Sequence, residues 1–128
     1  MTDVPNGSSE IIIAEETAAR SDIFSNVRVK SGGILVLFAL LAGDLIVEEG
    51  GAATIHGRVR GSVVNLGGTV AIEASASCLA VVDEGAASSR IEEGAIVSFG
   101  RINCDKGDAT MMIADVTELN ERSVRGRG

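Results

Sequence analysis

Catalysis in this chain would have to begin from one imidazole and two thiols. His56 is the single histidine, and Cys78 and Cys104 are the cysteines. An imidazole is suited to general-base work, but spacing places no orienting carboxylate beside His56. The competing reading is that His56 is a corner residue of a repeat. The cysteines lack the C-x-x-C spacing of a metal or redox pair, and two thiols make no disulfide framework. They read as reduced, small packing residues. Paired acids recur at Glu48-Glu49, Asp83-Glu84 and Glu92-Glu93, and stacked carboxylates are oxygen ligands of the kind calcium takes. The G-G-x-G-x-D nonapeptide is absent, so these acids read as a solvated edge that keeps coils apart. Asp105-Lys106-Gly107-Asp108 is too short for an EF-hand loop and reads as a turn. No Gly-Lys-Ser/Thr follows any strand, and Ser88-Ser89 joins no His/Asp set. The expectation is no enzyme, no cofactor and no metal.

The elements that would hold these residues are set by an internal repeat of about eighteen residues. Val27, Leu45, Val63 and Val81 follow one another at that spacing, as do Gly32, Gly50 and Gly68. Short apolar strands parted by Gly-rich corners at a fixed period predict a stacked solenoid. The fold class expected is all-β, a single-stranded parallel β-helix with non-repeat terminal segments. Val27, Leu45, Val63 and Val81 are its expected interior ladder. A second row of strands runs through 35–38, 53–56, 70–73 and 89–92, and a third, weaker row through Leu40-Leu41, Val59, Ala76 and Ile96-Val97. Near Gly67 the register slips by one residue, so Thr54-Ile55 corresponds to Ala71-Ile72. A deletion is tolerated at a corner, whereas within a strand it would reverse the faces.

Composition fits this architecture. The 128 residues suffice for one domain, and only 2% are aromatic, with no Trp or Tyr. A coil filled by ladders of Val, Ile, Leu and Ala needs no large aromatic anchors. The formal net charge of -7 argues against nucleic-acid binding. Arg122, Arg125 and Arg127 make the C-terminus a local exception, read as a solvated basic tail. The start of the chain is polar and acidic, without a secretory signal. The apolar run from Ile34 to Ala42 is about half of what a membrane-crossing helix needs. The expected location is cytoplasmic, with no integral membrane segment.

Three regions are expected: an N-terminal tail or cap over 1–22, the solenoid over 23–102, and a C-terminal cap and basic tail over 103–128. Ile11 to Ile13 reads as an added strand or a cap, and Ala14 to Arg20 as one or two helical turns. After Val29 and Val47 the next residues at that spacing are Asn65 and Asp83, so either that row faces out or the later turns change parity. The neighbouring row of Arg28, Ile46, Val64 and Val82 turns apolar on what should be the outer face, which points to association. Leu35, Leu37, Phe38, Leu40 and Leu41 cannot all enter a narrow coil. They are the expected self-association residues, meeting a second protomer.

The stretches Gly43-Asp-Leu-Ile-Val-Glu-Glu-Gly50, His56-Gly-Arg-Val-Arg-Gly-Ser-Val63 and Asn65-Leu-Gly-Gly-Thr-Val70 resemble the repeats of bactofilins, bacterial polymer-forming cytoskeletal proteins. The resemblance covers roughly 26–97. It implies a right-handed parallel β-helix, end-to-end assembly and no enzymatic activity. The chain departs from the family's pattern at Phe38-Ala39, where His-Gly is usual, and at 73–78, where the His-Gly-x-Val-x-Gly pattern is lost. The leading expectation is thus a non-enzymatic, self-associating, bactofilin-like structural scaffold whose partner is itself. The alternative is a capped small oligomer that holds another protein, as an immunity or adaptor protein does. A third reading is a hexapeptide-type acyltransferase with His56 as base, although the strict six-residue period of those enzymes is not kept.

Overall fold

The computed structural model describes residues 10–85 and 87–104. These residues form an all-β solenoid of about five turns in which every strand pairing is parallel. The first turn holds β1 (Glu10–Ile13) and β2 (Glu16–Ala19), and the second β3 (Asn26–Val29), β4 (Ile34–Leu37) and β5 (Leu40–Leu41). The third holds β6 (Leu45–Val47), β7 (Ala52–Ile55) and β8 (Arg58–Val59). The fourth holds β9 (Val63–Asn65), β10 (Thr69–Ile72) and β11 (Ser77–Cys78). The fifth holds β12 (Val81–Glu84), β13 (Arg90–Ile91) and β14 (Ile96–Val97), and β15 (Arg101–Cys104) is the last described strand. Three sheets line the coil, in the orders β1-β3-β6-β9-β12-β15, β2-β4-β7-β10-β13 and β5-β8-β11-β14.

Alternation along each strand decides what fills the coil. Val27, Leu45, Val63 and Val81 are successive partners and each is fully buried. Leu35 stacks on Ala53, and Leu37 on Ile55, inside the second sheet. Leu41 stacks on Val59 inside the third, where Cys78 and Val97 continue the row. Burying one such side chain contributes about 1.5–3 kcal/mol, so a narrow coil without aromatics still has a sufficient core. Corner side chains bind the turns to one another. Asn26 Oδ1 accepts the Asp44 N–H at 2.9 Å, and Asp44 Oδ1 accepts the Ser62 N–H at 2.8 Å.

Three expectations are corrected. The coil starts before residue 23, because β1 pairs with β3 and β2 with β4. Residues 16–19 are therefore strand rather than helix: Thr17 and Ala19 stack on Leu35 and Leu37, and that tertiary pairing overrides the local Ala/Glu preference. The left-handed corner glycine of the fourth turn is Gly67 (φ 123), in series with Gly32 (φ 88) and Gly50 (φ 86). The register shift lies at that corner, since Ala71 pairs with Thr54 and Ile72 with Ile55. Finally, the row of Val29, Val47, Asn65 and Asp83 neither faces out nor changes parity. It stays inside, with Asn65 0% and Asp83 1% exposed. The expected C-terminal turn, final strand and basic tail over 105–128, and the polar start over 1–9, lie outside the described residues.

Candidate interaction surfaces

The five residues expected to drive association separate into two groups. Leu35, Leu37 and Leu41 are fully buried inside the coil and cannot touch another protomer. Their expected surface role is corrected by the alternation of β4, which sends Leu35 and Leu37 inward and Ile34 and Val36 outward. Leu40 lies half-buried on the outer side of β5, and Phe38 is 43% exposed at the corner between β4 and β5.

Phe38 belongs to a column that climbs one corner of the coil. Its ring stacks on the His56 imidazole of the next turn, with centroids 5.0 Å apart and planes 4° from parallel. The Arg20 guanidinium carbon sits 4.6 Å from the Phe38 centroid on the turn before. A cation over an aromatic face is attracted by the ring quadrupole. His56 is thereby held as a stacking element, and its carbonyl accepts the Ser75 hydroxyl at 2.9 Å. Among the described residues no three His, Cys, Asp or Glu side chains converge to form a metal-binding group.

Cys78 lines the interior at 4% exposure, and burial pushes its thiol up from about 9.0 to about 12. The buried thiol is neutral, so it lends stability that is complete below pH 9 and lost as pH rises from 9 to about 12. Iodoacetamide at pH 8 should leave Cys78 unlabelled in the folded chain and label it in urea, as read by mass spectrometry. Labelling at equal rates in both states would contradict the burial.

The far end of the interior is polar. Asp83 Oδ1 accepts the Ser89 hydroxyl at 2.6 Å and the Ser89 N–H at 3.1 Å, while Asn65 Nδ2 donates to Ser89 Oγ at 3.2 Å. Arg101 Nε lies 3.1 Å from Asp83 Oδ2, and Arg101 Nη2 donates to the Ser89 carbonyl. The Arg101–Asp83 approach is an ion pair without hydrogen-bond geometry, so Oδ2 has charge compensation but no donor. Sequence spacing gave no hint of this network, because its members come from four different strands or corners. The one available signal was that Asn65 and Asp83 share a row with valines.

The outer face of the first sheet carries a second ion ladder and a second apolar cluster. Arg28 reaches Glu48 at 2.8 Å and Glu10 at 3.2 Å, one turn to each side. The Glu48 hydrogen bond is the main reason its guanidinium is held above its ordinary range. Further along the same outer row, Val64 and Val82 are buried and pack with Ile46, Leu66, Ile102 and Cys104. At the start of the coil the apolar groups are uncovered. Ile11 is 38%, Ile12 48%, Phe24 73% and Ile34 41% exposed. Among the described residues no helix is long and apolar enough to cross a membrane. The chain matches no family model, no curated protein and no solved structure, so its fold and surfaces stand on their own geometry.

Proposed function

We propose that this chain is a non-enzymatic scaffold, a bactofilin-like β-solenoid that associates with copies of itself in the cytoplasm through its N-terminal turns. One observation carries the reading: among the described residues, five of the seven large exposed hydrophobic residues, Ile11, Ile12, Phe24, Ile34 and Phe38, fall in the first two turns. They surround β1 and β2, the edge strands of their sheets among the described residues. An uncovered edge bordered by apolar side chains is a template for pairing with another chain. A reduced, buried thiol at Cys78 suits a reducing compartment.

The polar interior favours the smaller-oligomer form of this reading. Continuing the first sheet from β15, its other edge strand among the described residues, into β1 of the next copy would stack Ile11 on Arg101 and Ile13 on Asn103 in the observed register. Burying a guanidinium against isoleucine is costly, so pairing is favoured between two N-terminal ends. Size-exclusion chromatography with light scattering is expected to give one dimeric mass across a concentration series. Ile11→Lys is expected to give monomers, and Phe38→Arg to weaken the dimer. A monomer at every concentration overturns self-association, and filaments in negative stain overturn the one-ended form of it.

A further inference from the structure

We propose that a groove on the outer face of the third sheet binds a small phosphomonoester. Arg58 in β8 and Arg60 just after it flank the inward-facing Val59, and both are exposed on the outer side of the coil. Arg58 is the lateral partner of Ser77, and Ser77 of Ile96. These residues, with Leu79 and Ser98, line an open groove of about 340 Å³. That volume lies at the lower end of the ~300–1,000 Å³ typical of small-molecule sites.

Charge makes the groove unusual for this molecule. The chain has 18 acidic residues against 11 Lys and Arg, yet no carboxylate lines the groove. Arg28, Arg90 and Arg101 are each ion-paired, and Arg20 lies over Phe38. Arg58 and Arg60 have no ion pair among the described residues. Two guanidinium groups borne two residues apart on one face, their Cα positions about 7 Å apart in extended backbone, repel one another unless an anion lies between them. A phosphomonoester carries about -1.5 to -2 charges at pH 7, enough to balance both, and its oxygens match guanidinium forks. A single carboxylate would leave one cation unbalanced. The Ser77 and Ser98 hydroxyls add donors. Leu79 and Ile96, the latter 63% exposed, offer an apolar wall for the organic part of the ester. The buried Cys78 thiol beneath the groove stays protonated and takes no part.

The test is titration of the full chain with phenyl phosphate, by calorimetry and by amide chemical shifts. Saturable binding is expected, with shifts at 58–60, 77 and 98. Benzoate, inorganic phosphate and the Arg58→Gln/Arg60→Gln variant should each bind at least tenfold more weakly. Both arginines are exposed, so the variant should melt with the native chain. If it does not, Arg60→Lys, which keeps the charge but loses the fork, should still weaken binding severalfold. Absence of saturable binding, or equal binding by the double variant or by benzoate, overturns the site. Inorganic phosphate binding as tightly as the ester removes the apolar wall's role. A phosphoserine peptide that outcompetes phenyl phosphate overturns the small-molecule assignment.

Discussion

Gly68→Ala should cost about 3 kcal/mol or more, at the upper end of what overpacking does, and leave much of the chain unfolded at 37 °C. A Cβ at this position would stand 2.5 Å from the Glu48 carbonyl oxygen, 2.6 Å from the Gly51 carbonyl oxygen and 2.6 Å from Val47 Cγ1. Neither oxygen is free to move. The Gly51 carbonyl accepts the Thr69 N–H at 3.0 Å, and the Glu48 carbonyl accepts the Gly51 N–H at 2.9 Å. Relief would open the joint between the third and fourth turns, in the middle of the stack. Gly85→Ala is the control. Gly85 has a left-handed φ of 62 but nothing among the described residues within 4 Å of its added Cβ, so backbone strain of about 1–2 kcal/mol is what applies there. Urea denaturation followed by circular dichroism separates the two. Equal midpoints would mean that the corner at Gly68 yields, and that close packing of turns is not what holds the coil.

Asp83→Ala should cost about 2–4 kcal/mol, from the range for buried ion pairs that lose one partner and for orphaned polar groups. The substitution strands the Ser89 N–H and hydroxyl, which both bond to Asp83 Oδ1. Arg101 is the smaller part of the loss, because its side chain is 38% exposed and can turn to water. Replacing the set together, as Asn65→Val, Asp83→Val, Ser89→Ala and Arg101→Leu, should be neutral or stabilising by about 1–4 kcal/mol. Denaturant midpoints of the two variants give the comparison. If the single and the combined variants lose the same stability, the network is not acting as a unit.

The stack was legible in the sequence because its physics is a repetition. A side chain inside a parallel coil must be matched one turn away, so Val27, Leu45, Val63 and Val81 had to recur at one spacing, and they do. The one-residue slip near Gly67 was legible for the same reason. The first turn was not. Glu10 pairs with Asn26 only sixteen residues on, and β2 has an Ala/Glu composition that favours helix when read alone. The faces of β4 were not legible either. Ile34, Leu35, Val36 and Leu37 are apolar on both sides, so the alternation that assigns Leu35 and Leu37 to the interior left no trace in residue type. The polar end of the interior was hidden by distance along the chain, since Asn65 meets Ser89 and Asp83 meets Arg101 only when the turns close.

The same in-register rows make the described coil a stack whose length is counted in rungs. Six strands of the first sheet, spaced about 4.8 Å apart, span roughly 24 Å along the axis. A tandem duplication of one central turn would add a single rung, about 4.8 Å, while each inserted side chain met its own twin above or below. The exposed isoleucines of β1 and the Asp83–Ser89–Arg101 network would be untouched. Reach along the axis and chemistry at the ends are therefore separately inherited quantities in this fold, and either can drift without disturbing the other.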